Sequence, residues 1–155
     1  MYIPYYETPY DRDLHDLCIQ ECKLKSYPID NINGKASIVK YIPCGVVIAA
    51  TGYAHIKNRA TQVFIALYTA FTSWIDDTYV RDVIGLDSFN ERFVTGRKQA
   101  NEGLDGLDRL LRETNLHYHG IQANVIVTGT LNFVTSLILE FETKGMPVSL
   151  YCLNG

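Results

Sequence analysis

The 155-residue sequence contains no run of lysine or arginine, and its 14 basic residues are outnumbered by 17 acidic ones. Neutralising the phosphates of a nucleic acid takes clustered cations, so nucleic acid is excluded as the main partner. Residues 1–13 also lack the basic start and apolar middle of a secretory signal, and we therefore expect a cytoplasmic protein. No internal repeat, low-complexity tract or interdomain linker is present, which predicts a single domain over residues 1–155.

Alternation of apolar and polar residues, the pattern of a β-strand, is nearly absent from the sequence. "ANVIVTGTL" could form a strand, but the length of the apolar stretch around it favours a helix. The fold class predicted is all-α, and the 47% of hydrophobic residues are ample for a packed core. We expect helices over 11–25, 54–79, 102–114 and 121–143. A further helix should begin at a capping box formed by Ser88 and Glu91. Residues 36–50 should form either one kinked helix or two short ones, because Pro43 and Gly45 interrupt the pattern.

Cysteine is scarce, with four residues in the chain. Cys18 and Cys22 lie four residues apart beside His15, which resembles part of a metal site. A fourth ligand is not evident and the spacing fits no common zinc pattern. We therefore interpret the cysteines as reduced thiols that are mostly buried.

One apolar stretch raises the question of a membrane, because residues 120–139 carry no charge. Twenty residues of this kind are long enough to span a bilayer. Polar side chains are nevertheless spread along the stretch, and several unpaired polar groups would be costly in lipid. We interpret it as a helix buried inside the protein and expect no membrane contact. The polar residues are Gln122, Asn124, Thr128, Thr130, Asn132, Thr135 and Ser136.

Two adjacent carboxylates end another uncharged stretch, since no charge occurs between residues 60 and 75 and then Asp76 and Asp77 follow. On a helix, Asp76 shares a face with Thr69 and Thr72. Carboxylates at the C-terminal end of a helix meet the negative end of its dipole, and a bound cation would offset that cost. The pair is typical either of a helix end that meets water or of a magnesium site for a phosphorylated ligand.

Three segments carry a resemblance to a known family. "YTAFTSWIDDTYVRD" (68–82) resembles the aspartate-rich helix of class I terpene cyclases, specifically the fungal trichodiene synthase type. "FNERFVTGRKQA" (89–100) and "TLNFVTSLILEFE" (130–142) are similar to further helices of that family and occur in the same order. The resemblance covers most of the chain from residue 41 onward.

The resemblance implies a helical bundle around a deep apolar pocket, in which Mg²⁺ ions grip the diphosphate of a prenyl substrate such as farnesyl diphosphate. It implies an enzyme that breaks a carbon–oxygen bond, a lyase of sesquiterpene synthesis. Asp76 is then the catalytic metal ligand and Asp77 the second metal ligand, while Thr69 and Thr72 line the substrate pocket.

The chain is shorter than members of that family. Residue 155 falls about where the first half of such an enzyme would end, so we expect an incomplete bundle and impaired activity. The spacing of Asn132, Ser136 and Glu140 is that of the family's second metal motif. Either these residues are metal ligands or the spacing arose by chance. The alternative function is a non-catalytic helical binding or scaffold protein, whose uncovered apolar face would favour self-association into a homo-oligomer or a partner.

Overall fold

The computed structural model describes residues 9–30, 37–79 and 85–144. Within these ranges the chain forms helices and contains no strand, which confirms the all-α prediction. The helices are α1 (Arg12–Leu24), α2 (Ile42–Thr51), α3 (Arg59–Tyr79), α4 (Phe89–Thr95), α5 (Glu102–Arg112), α6 (Thr114–His117) and α7 (Ile121–Thr143), with a 3₁₀ turn (Val39–Tyr41) directly before α2.

The predicted ends of α1 and α7 agree with the structure, whereas the start of α3 differs. Asn58 accepts a hydrogen bond from the backbone N–H of Thr61 at 3.1 Å and caps α3, which therefore begins at Arg59 and not near residue 54. Pro43 lies in the first turn of α2, where its missing N–H has no intrahelical partner to lose. Gly45 also lies inside α2, so neither residue interrupts a helix, and the boundary between the 3₁₀ turn and α2 falls before Pro43.

The capping box predicted at the start of α4 is wrong. The Ser88 hydroxyl donates to the carbonyl of Gly85 and accepts a hydrogen bond from Arg92, so it caps no N–H of the helix. Glu91 pairs with Arg97 instead of reaching back to Ser88. An ion pair on the surface of α4 has replaced the expected reciprocal bonds.

Helix α3 is the centre of the bundle, and two glycines allow close contact with it. Gly45 brings α2 against the backbone of Ala66, because a Cβ atom at Gly45 would lie 2.1 Å from the Ala66 carbonyl oxygen. On another side, Gly106 of α5 faces the fully buried ring of Phe71. The packing of α3 therefore depends on positions where a side chain is absent.

Helix α7 runs parallel to α3, and two contacts fix the register between them. The Tyr68 hydroxyl lies 2.9 Å from Thr130 Oγ1, and the rings of Tyr79 and Phe141 are 5.7 Å apart. Each contact joins residues 62 positions apart in the sequence. The C-terminal ends of both helices therefore lie at the same end of the bundle.

The prediction that α7 is a buried helix is wrong for most of its surface. Ile121 is 79% exposed, Val125 61% and Leu139 53%. Its buried residues are Ala123, Thr130, Val134 and Leu137, which follow one narrow face. Among the described residues, α7 alone is long and apolar enough to cross a membrane, a match of length and composition only. Burial was misjudged because it depends on what covers the helix, and no described element covers its outer face.

The cysteine prediction is confirmed for α1. Cys18 and Cys22 are both fully buried, and burial raises the pKa of each thiol to about 12. Cys44 differs, because it lies on the exposed side of α2.

Reaction with a thiol reagent should distinguish the exposed Cys44 from the buried Cys18 and Cys22. In a Cys152→Ser chain, we expect a disulfide reagent such as dithionitrobenzoate to modify one thiol rapidly, because Cys44 alone among the three remaining cysteines is exposed. Cys18 and Cys22 should react only after denaturant is added. A Cys44→Ser, Cys152→Ser chain is the matched control and should show no rapid phase, whereas rapid reaction in that chain would show that α1 is not packed as described.

Candidate functional site

The adjacent aspartates lie near the C-terminal end of α3. Trp74 and Ile75 are buried, with exposed fractions of 6% and 2%, whereas Asp76 is exposed and Asp77 is half-buried. The uncharged sequence before the pair packs inside the bundle, and Tyr79, after the pair, is buried as well. The aspartates therefore lie on the outward side of the last turns of α3.

Asp77 is held by the 3₁₀ turn that precedes α2. Its Oδ2 atom accepts hydrogen bonds from Lys40 Nζ at 2.9 Å and from the Tyr41 hydroxyl at 2.5 Å. Hydrogen bonds with Tyr41 and Asp77 raise the pKa of Lys40, which keeps its ammonium charged. Lys40 and Tyr41 were not predicted, because they lie more than 30 residues before Asp77 and no motif marks them.

Asp76 has a different environment from its neighbour. It forms no hydrogen bond or ion pair with any described residue, and its side chain points about 100° away from that of Asp77 around the helix. The two carboxylates are therefore not equivalent: one is engaged by a cation and a hydroxyl, and the other faces solvent. Asp76 is therefore the more accessible of the two carboxylates.

Thr69 and Thr72 lie on the same face of α3 as Asp76 and are half-buried. Their hydroxyls donate to carbonyls of their own helix, Thr69 to Ile65 at 2.9 Å and Thr72 to Tyr68 at 3.0 Å. With the hydroxyl proton used in this way, each oxygen remains available only as an acceptor. These side chains can line a wall, but they would donate no hydrogen bond to a ligand without giving up the one to the helix.

The three residues that have the spacing of the family's second metal motif are exposed along α7. Asn132, Ser136 and Glu140 share one side of the helix, in agreement with their spacing. The parallel register of α3 and α7 brings Glu140, the last of the three, to the end of the bundle where Asp76 lies. The described ranges contain no group of three or more His, Cys, Asp or Glu side chains close enough to hold a metal ion.

Trp74 packs the end of α3 that carries the aspartates against α5. Its ring packs over Gly103 at the start of α5, where a Cβ atom would lie 2.2 Å from the indole. Asn101 caps α5 by accepting a hydrogen bond from the Leu104 N–H at 2.9 Å. A contact between a large side chain and a glycine therefore packs α3 against α5 two residues before Asp76.

Known proteins similar to this chain are fungal terpene synthases. Alpha-cuprenene synthase COP6 of Coprinopsis cinerea is 33% identical over 147 residues, which cover 95% of this chain and 45% of that protein. Monoterpene synthase 25 of Postia placenta is 35% identical over 104 residues, 66% of this chain and 31% of that protein. Longiborneol synthase CLM1 of Gibberella zeae is 32% identical over 79 residues, 50% of this chain and 23% of that protein.

No family model matches the chain. The similarity to these synthases confirms the resemblance that the sequence motifs indicated. The chain spans less than half the length of the curated relatives it matches.

Proposed function

Because the chain is a homologue of the fungal terpene synthases and belongs to their family over part of their length, we propose that it forms one wall of a prenyl diphosphate site. In this proposal, Asp76 binds a magnesium ion that holds the diphosphate. The observation that carries it is the carboxylate of Asp76, which is exposed near the C-terminal end of α3 and pairs with no other described residue.

The residues present fit magnesium. This ion prefers oxygen ligands, and it is usually held by one or two carboxylates together with substrate phosphates, not by a cage of protein groups alone. Asp76 supplies such a carboxylate, and Asp77 lies next to it with one oxygen already bonded to Lys40 and Tyr41. When bound, the metal acts as a Lewis acid that stabilises a leaving diphosphate.

The other residues of this face would position the substrate and exclude water. Thr69 and Thr72 follow Asp76 along α3 and offer oxygen acceptors on a half-buried wall. Lys40 pairs with Asp77 at 2.9 Å, whereas no described cation pairs with Asp76, whose negative charge a metal would neutralise. The reaction class that this arrangement serves is ionisation of the carbon–oxygen bond of a prenyl diphosphate such as farnesyl diphosphate, as in a lyase of sesquiterpene synthesis.

The experiment is calorimetric titration of the purified chain with farnesyl diphosphate, with and without magnesium chloride, followed by analysis of volatile products. We expect magnesium-dependent binding that Asp76→Ala weakens at least about tenfold, because the exposed carboxylate is lost. Asp13→Ala is the matched control, since Asp13 is an exposed aspartate on α1, far from the end of α3, and should leave the affinity unchanged. Detection of volatile products would show, in addition, that the site of this chain is complete enough for catalysis.

A second candidate is a non-catalytic helical binding or scaffold protein, and the exposed apolar face of α7 favours it. Such a protein would fold without magnesium and would not bind diphosphates, and its α7 face would associate with another copy or a partner. If the wild-type chain is folded but shows no magnesium-dependent affinity for farnesyl diphosphate, the first proposal fails and the second remains.

A further inference from the structure

A cavity lies on the opposite side of α3 from Asp76, between α1, α3 and the α5–α6 segment. Its volume is about 520 Å³, within the range of small-molecule sites. We name it the α1–α3 groove and define it by Leu17, Val63, Phe64, Leu67, Leu110 and His117. Around the helix, Leu67 points about 180° and Val63 about 140° away from Asp76, so the residues of the proposed diphosphate site do not line this groove.

The floor of the groove is apolar. Phe64, Leu67 and Leu110 are 3%, 1% and 2% exposed and belong to the core of the bundle. Ala60 and Leu17 form the rim, and both are exposed. A ligand in this groove must therefore present an apolar body to the floor.

An ion network with excess negative charge borders the groove. Lys25 Nζ pairs with Glu21 Oε1 at 2.8 Å and also with Glu113 Oε2, so two carboxylates share one ammonium. Within the described residues, the second oxygen of each carboxylate makes no hydrogen bond. Two acceptors and about one uncompensated negative charge therefore remain beside the apolar floor.

The other titratable groups of the groove do not cancel this charge. Arg59 is engaged by Asp11 through two hydrogen bonds of 2.7 and 2.8 Å. His117 packs against Phe64 with the ring centroids 4.7 Å apart, and burial and the charge of Lys25 lower its pKa below the ordinary value of 6.5. His117 is therefore neutral at pH 7. Burial lowers the pKa of Lys25, but the hydrogen bonds with Glu113 and Glu21 raise it by more. The Lys25 ammonium therefore stays charged at this pH.

We propose that the α1–α3 groove binds an organic ammonium: a primary amine on an apolar body, with the charged group between Glu21 and Glu113 and the body along Phe64 and Leu67. Charge complementarity selects this class, since the free carboxylate oxygens accept hydrogen bonds from an ammonium. The same oxygens repel a carboxylate or a diphosphate. The groove is therefore a site separate in chemistry from the one at Asp76, and it does not depend on the function proposed there.

Decylamine, decanol and decanoate share an alkyl chain and differ in the charge of the head group, which makes them suitable probes. We expect the full chain to bind decylamine at least about tenfold more tightly than decanoate in calorimetric titrations at pH 7, with decanol between them. The double change Glu21→Gln, Glu113→Gln should remove most of this difference. Similar affinity for all three probes would show that only an apolar surface is present and would overturn the proposal.

Two further variants locate the site and guard against loss of folding. Ala60→Trp fills the mouth of the groove from an exposed position, so the chain should fold and bind decylamine at least about tenfold more weakly. Asp76→Ala should leave decylamine binding unchanged, because it lies on the opposite face of α3. Decylamine binding that survives Ala60→Trp, or that Asp76→Ala removes, would place the ligand elsewhere and contradict the proposal.

Discussion

Replacing Gly45 with alanine should destabilise the protein by about 3 kcal/mol or more, a large part of the stability of a domain of this size. The new Cβ atom would lie 2.1 Å from the carbonyl oxygen of Ala66 and 2.9 Å from its carbonyl carbon. Both are backbone atoms of α3 and cannot move aside as a side chain could. Helices α2 and α3 would have to separate, and the contact that buries Val46 and Ala49 would weaken.

The matched control is Gly129→Ala in α7. Gly129 also lies inside a helix, but no atom lies within 4 Å of the position where its Cβ would be built. Alanine should therefore stabilise α7 by about 0.5–1 kcal/mol through its higher helix propensity. Urea denaturation followed by circular dichroism measures both changes. If both variants shift the midpoint in the same direction, the close contact between α2 and α3 is not present in solution.

Helix positions could be predicted from the sequence because their signals are local. Helix α1 begins and ends within one residue of the predicted range, and α7 begins and ends where it was predicted. The start of α3 was misplaced because the apolar pattern extends upstream of the cap at Asn58. A hydrogen bond from one side chain, not hydrophobic periodicity, decided that boundary.

Burial and pairing could not be predicted, because they depend on distant parts of the chain. The pattern of α7 is that of a buried helix, yet Ile121 and Val125 are exposed since no described element packs on that side. Helix geometry placed Asp76 with Thr69 and Thr72 correctly, but it could not show that Lys40 would engage Asp77. The parallel register of α3 and α7, which brings Glu140 to the same end of the bundle as the aspartates, also had no sequence signal.

Gly103 tests whether packing under the aspartates controls the site. We expect Gly103→Ala to destabilise the chain by about 2 kcal/mol and to weaken magnesium-dependent binding of farnesyl diphosphate several-fold. Its Cβ would lie 2.2 Å from Cη2 and 2.6 Å from Cζ3 of Trp74, which is only 6% exposed and has little room to move. Trp74 precedes Asp76 by two residues, so displacing the indole displaces the end of α3. Because Trp74 is the single tryptophan of the chain, its fluorescence should report the change directly.

A second substitution separates a local clash from a general loss of folding. The atoms that a Cβ at Gly103 would meet belong to the outer ring of the indole, and phenylalanine lacks this ring. Trp74→Phe alone should cost stability by leaving a cavity, but Gly103→Ala should then cost much less in the Trp74→Phe background than in the wild type. The double variant should therefore be about 1–2 kcal/mol more stable than the sum of the two single costs predicts. If the two costs simply add, the indole does not rest on Gly103, and the support for Asp76 must come from another contact along α3.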